Sequence, residues 1–379
     1  MSVISSALEL TSPFPGLRPF RPHEDAIFFG RHEQVSDTLQ RLETCRLLTV
    51  VGASGCGKSS LVRAGLLPAL RDGLLFGAGS DWKTVMFRPG TDPYPEFARA
   101  LGQSLPAPNP SDSADWTSYI QAMLLSGDNG LIRVVNEAGL PQESNVLVLV
   151  DQFEELFRFR SVAHSQGEET AEKQHATYEE RNNANAFVNL LLETVRRQSG
   201  CEDDSGWLRA GGMISGLMPK HPVFVVLTMR SEFLGHCDAF LGLPEAVSQS
   251  QFLTPRMTRE QLKDAIVRPL EVFGAVAHPS LVNRILNEVG TDQDSLPLMQ
   301  HALLRSWQNA KERLERQPLE SRQKVEPQNR GLRKGRRTPE SAFASCGRGL
   351  RRTGSRPSTQ GIIPGYCATT IPFALPPNQ

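Results

Sequence analysis

The chain has 379 residues, 39% hydrophobic and 22% charged, with 41 basic and 41 acidic side chains in balance. That length allows two or three domains with real cores, while the lack of a spanning apolar run and of a basic-then-apolar start at 1–10 speaks against a membrane helix or secretory signal. Six cysteines lie scattered with no Cys-x-x-Cys pair, which argues against a zinc site or disulfide scaffold and leads us to expect a cytoplasmic protein.

Residues 1–22 read as an extended arm punctuated by Pro13, Pro15, Pro19 and Pro22. Val35, Leu39 and Leu42 recur at helical spacing and predict a helix over 32–42. The apolar run Leu47–Val51 then predicts a strand, and Gly52 to Ser59 reads Gly-Ala-Ser-Gly-Cys-Gly-Lys-Ser ahead of a second helical pattern. Strand, glycine-rich loop and helix in that order form a phosphate cradle. Gly52, Gly55 and Gly57 let the backbone curve so that its N–H groups converge, and the helix points its positive end at the same place. Gly52, Ala53, Ser54, Gly55, Cys56, Gly57, Lys58, Ser59 and Ser60 are therefore candidate phosphate-binding residues, with Lys58 reaching the outer phosphates and Ser59 placed to hold Mg²⁺.

Lys83–Phe87 predicts a second strand, followed by helices over 97–105 and 117–125. Val146–Val150 is an unbroken apolar run, as expected of a strand covered on both faces. It ends at Asp151, followed by Gln152-Phe153-Glu154-Glu155. An acid at the carboxyl end of a parallel strand sits where ligands bind, so Asp151 is a candidate Mg²⁺ ligand opposite Ser59. Glu154 or Glu155 is the candidate to polarise an attacking water. Residues 161–185 are polar and read as a loop or inserted excursion, 186–197 as a helix, and 198–217 as a glycine-rich loop. Val223–Leu227 is another buried-strand run, and Arg230 just beyond it is a candidate contact for a terminal phosphate, since guanidinium suits phosphate geometry. Residues 251–253 predict a last short strand. From Thr258 the pattern turns helical, with Leu262, Ile266 and Leu270 on one face and Leu281, Ile285 and Val289 on another.

Strands alternating with helices at this spacing predict an α/β, doubly wound parallel sheet of the P-loop NTPase type, followed by a helical subdomain. The expected division is 1–22 arm, 23–257 nucleotide domain with a polar insertion near 161–220, 258–317 helical subdomain, and 318–379 basic tail. No Asn-Lys-x-Asp guanine reader follows a later strand, which favours ATP over GTP.

Taken in order, these pieces resemble the STAND class of P-loop ATPases, closest to the bacterial modules found ahead of WD-repeat or other sensor domains. The likeness spans roughly 12–312 and rests on Pro13-Phe14-Pro15-Gly16-Leu17-Arg18-Pro19-Phe20, Phe28-Phe29-Gly30-Arg31, the phosphate loop, Phe87-Arg88-Pro89-Gly90, the segment 151–157, the segment 227–234 and Leu296-Pro297-Leu298. The resemblance implies that Phe29, Gly30 and Arg31 lie against adenine and that Pro297 closes over the nucleotide from the other side. It implies that Arg230 matches a sensor arginine. It also implies an ADP-bound resting state, ATP exchange, self-association in the ATP state, and a missing or separate sensor or effector domain.

Two departures stand out. The stretch 161–220 is longer than the resemblance leads one to expect, and the pattern stops near 310–316, where a winged-helix region should follow. From Arg322 onward eleven basic residues oppose two acids, so that stretch carries +9 and residues 1–321, in a chain that balances to zero, carry −9. Either a functional tail binds nucleic acid or acidic partners, or the coding frame has shifted; in both cases disorder is expected. Three functions compete: a slow ATP-driven signalling switch, an origin-type or AAA+ ATPase acting on nucleic acid, and a non-catalytic holder of bound nucleotide. The acidic balance of 1–321 and the lack of an aromatic-basic strip speak against nucleic acid outside the tail.

Overall fold

The computed structural model describes residues 10–108, 115–157, 171–198, 219–289, 295–316 and 373–374. Helix α1 (His32–Cys45) leads into strand β1 (Leu47–Gly52), the glycine-rich loop and a helix over 58–71, α2, whose middle turn Leu61–Leu66 is π-helical. Strand β2 (Trp82–Phe87) is followed by α3 (Pro93–Ser104), α4 (Trp116–Leu125) and α5 (Gly130–Glu137). Strand β3 (Asn145–Val150), α6 (Ala171–Arg196), β4 (Val223–Arg230), α7 (Leu243–Ser250) and β5 (Gln251–Leu253) complete the layer. Beyond it come α8 (Arg259–Val272), β6 (Val276–Ala277), α9 (Pro279–Glu288) and α10 (Ser295–Arg316).

The five strands form one parallel sheet in the order β2-β3-β4-β1-β5. The central strands are buried at nearly every position and mostly hydrophobic because both of their faces are covered. Val146, Val148 and Val150 of β3 enter the core with α3 to α7, while Leu147 and Leu149 enter the opposite core with α1 and α2. Val223, Val225 and Leu227 of β4 divide from Phe224 and Val226 in the same way. This is the doubly wound α/β architecture expected, and each fully buried Val or Leu contributes on the order of 1.5–3 kcal/mol.

A third core is built by α8, α9 and α10 around Ile266, Leu270, Leu303 and Trp307. Phe14, 2% exposed, belongs to this core, whereas Phe20 packs with Ile27 and Ala64 beside the sheet. Residues 10–22 thus lace the two units together.

The structure corrects one reading of the middle of the chain: residues 171–185 are the first half of α6, not a loop. Their Ala, Glu, Lys and Gln are strong helix formers, and a helix that is polar over its first turns shows no apolar period. Helices α5 and α7 were not foreseen either; each has eight residues, too few for a clear period. The loop expected over 198–217 lies almost wholly outside the described residues, and so does the basic tail apart from Phe373–Ala374. That pair, β7, adds antiparallel to β6 in a stretch where no strand was expected. Among the described residues no helix is long and apolar enough to cross a membrane.

Candidate functional site

Because β4 lies between β1 and β3, the carboxyl ends of these three strands bring the glycine-rich loop, Asp151 and residues 228–230 to one rim. The loop curves as its glycines allow: Gly55 and Gly57 have φ of 70° and 95°, left-handed values that side chains rarely adopt. A Cβ on Gly57 would meet nothing within 4 Å, so this point of the loop is open to a ligand. Lys58 folds back, its Nζ donating to the carbonyl oxygens of Gly52 and Ala53 at 2.8 Å each.

Asp151 is fully buried and its carboxylate is fully engaged. Ser59 Oγ donates to Oδ1 at 2.8 Å, Thr228 Oγ1 donates to the same oxygen at 2.6 Å, and Arg63 Nη2 donates to Oδ2 at 2.6 Å. A buried carboxylate needs such compensation. Neither Arg63 nor Thr228 was picked out from the sequence. Arg63 carries one signal, standing four residues after Ser59 on the same helix face. Thr228 carries a weaker one, as the residue just past an apolar run.

The chain leaves β3 through Gln152, whose φ of 61° is left-handed and whose N–H donates to Thr228 Oγ1 at 3.0 Å. The 3-10 turn Phe153–Phe157 that follows points the two glutamates in different directions. Glu154 is 9% exposed and faces the cavity; its Oε1 lies 3.2 Å from Arg230 Nε, and its Oε2 is buried without a hydrogen-bond partner. Burial pushes the Glu154 carboxyl above the usual range, against the opposing pull of Lys58 and Arg230. Glu155 turns the other way and accepts from the Gly90 N–H at 3.1 Å.

A cavity of about 340 Å³ is lined by Lys58, Ser59, Glu154, Thr228 and Arg230, whereas Asp151, Arg63 and Glu155 stand outside its lining. The loop from Ser54 to Ser60 forms one wall, Glu154 and Arg230 stand at the strand ends, and Leu296, Pro297 and Gln300 of α10 face them. Residues 15–20 add a wall, and the Phe20 N–H donates to Ser60 Oγ at 3.3 Å. Phe29 and Arg31 line the cavity as well. Arg31 is buried and donates to the carbonyls of Pro255 (2.7 Å) and Cys56 (2.9 Å), so it braces the loop; burial lowers its pKa. Gly30, Gly52 and Ala53 are not in the lining. Gly30 packs so close to α8 that a Cβ would sit 2.3 Å from Gln261 O.

The fold is that of a P-loop NTPase, with the glycine-rich loop at the rim of its parallel sheet. More narrowly, the chain belongs to the family described as novel STAND NTPase 1, whose model matches residues 13–327. The match runs past the change of composition near residue 320. No curated protein matches the chain. Seven chains of solved structure do. One is the ORC2 protein of Aeropyrum pernix, solved as ADPNP–ADP complexes, with 14% identity and a TM-score of 0.42, covering 82% of this chain and 66% of its own.

Proposed function

We propose that the cavity binds Mg-ATP and hydrolyses it slowly, so that the chain works as a nucleotide-controlled switch. The observation that carries this reading is one cavity with a glycine-rich phosphate cradle on one wall and a buried carboxylate with an orphan oxygen on another. The residues present suit the ligand. The open space at Gly57 and the convergent N–H groups fit a phosphate. Ser59 and Asp151, already 2.8 Å apart, are the hard oxygen donors Mg²⁺ prefers and would hold it. When bound, that ion would neutralise charge on the outer phosphates.

The roles then follow from position. Lys58 exchanges its two carbonyl partners for phosphate oxygens. Glu154 orients a water and takes its proton as the water oxygen bonds to the terminal phosphorus and the bond to the bridging oxygen breaks; its raised pKa suits a base. Arg230 leaves Glu154 for the terminal phosphate and so senses its presence. Because α10 and residues 15–20 supply the facing walls, filling the cavity links the sheet to the helical unit. Opening and self-association of the triphosphate form, and control of a sensor or effector part, are the outputs we assign to that linkage.

The test is nucleotide binding by calorimetry with Mg²⁺, for the full chain and for Lys58→Ala. Micromolar ADP and ATP binding that Lys58→Ala abolishes is expected; unchanged affinity in the variant would remove the site. Retained ADP without any turnover would keep the binding half and reduce the protein to a nucleotide holder.

A further inference from the structure

The cavity holds a cation, Arg88, that the roles above leave unused. Arg88 follows directly on β2, and Asp151 N donates to Phe87 O at 2.9 Å, so residue 88 stands beside Asp151 at the rim. Its neighbours are anchored. Phe87 is 5% exposed and its ring stacks on Phe97 at 4.7 Å, and Pro89 is buried. Gly90, at φ 59°, closes the turn and gives its N–H to Glu155 Oε2. Arg88 alone of residues 87–89 is exposed, it lines the same cavity as Lys58, Glu154 and Arg230, and no described residue pairs with it.

An unpaired guanidinium held on a pinned turn at an anion cavity is a binding group in waiting. We propose that Arg88 clamps the terminal phosphate of the nucleotide from the β2 side, and that Glu155 is a positioning residue which holds the Arg88 turn. The strand order supports the assignment. The glycine-rich loop follows β1, which two strands separate from β2, so the loop serves the inner phosphates while Arg88 and Arg230, at the ends of β2 and β4, flank Glu154 beyond β3. Arg88 thereby makes the site distinguish a triphosphate from a diphosphate. The inference rests on the proposed nucleotide site.

The experiment compares wild type, Arg88→Ala and Glu155→Gln as full chains, titrating Mg-ADP and the non-hydrolysable imido analogue of Mg-ATP by calorimetry. Loss of a charge-assisted contact should weaken the triphosphate analogue about 10- to 100-fold in Arg88→Ala and leave ADP within about twofold. Glu155→Gln should shift the same ligand in the same direction by less, because the turn is loosened and the cation remains. Arg88 is exposed, so thermal melting of the variant should match wild type and exclude a folding effect. An unchanged analogue affinity in Arg88→Ala, or an equal loss for both nucleotides, overturns the clamp while leaving the site intact. A wild type that binds neither nucleotide overturns the proposed function and the clamp together.

Discussion

Arg230 Nε stands 3.2 Å from Oε1 of Glu154, while the other oxygen of the same carboxylate is buried with no hydrogen-bond partner. The pair stores an unmet demand: the carboxylate is half satisfied, and the cation that satisfies it lines the same cavity.

Glu154→Gln should therefore keep ADP binding and lose about 10²- to 10⁴-fold in turnover, read as phosphate release under saturating Mg-ATP. Turnover within threefold of wild type would remove Glu154 from the chemistry. The same substitution predicts a pH effect on stability. Burial disfavours ionised Glu154, so its folded pKa stands above the unfolded value of about 4.3. Its contribution is full below that value and is lost as pH rises through the folded pKa. The stability of Glu154→Gln relative to wild type should then increase across that window, as urea unfolding at several pH values would show.

The lacing of the two units by residues 10–22 predicts a cost for Phe14→Ala. This ring is buried among Ile266, Leu303 and Trp307 rather than beside the sheet. Truncation should destabilise the protein by about 3–5 kcal/mol in chemical denaturation. A loss below about 1 kcal/mol, well under the range for a buried Phe, would mean that the segment does not dock in solution.

The cysteines offer a probe of the cavity. Cys56 is half-buried in the glycine-rich loop and lines the cavity, whereas Cys237 is 2% exposed and burial pushes its thiol up to about 11. Iodoacetamide at pH 8 should modify Cys56 and spare Cys237 in the folded protein, and saturating Mg-ADP should protect Cys56. Peptide mapping by mass spectrometry reads both. Equal labelling of Cys56 with and without nucleotide would place the ligand elsewhere.

What the sequence determined by itself is the sheet and the phosphate loop. Leu47–Val51, Val146–Val150 and Val223–Leu227 are legible because a strand covered on both faces is apolar at nearly every position, and 52–59 is legible because the geometry of a phosphate cradle dictates its residue types at fixed spacing. Segments without a strong period were not: α5 and α7 are too short, and the polar first half of α6 carries propensity without a pattern. Tertiary structure alone decided the partners. Thr228 lies 77 residues from Asp151 and meets it because β4 pairs with β3. Glu154 and Glu155 are adjacent in the chain, yet on the 3-10 turn Phe153–Phe157 one enters the cavity and the other reaches Gly90. The physical reason is the same in each case. Burial leaves a repeating mark along the chain, whereas the choice of which polar groups meet depends on strand order and on single backbone torsions, and neither has a local signature.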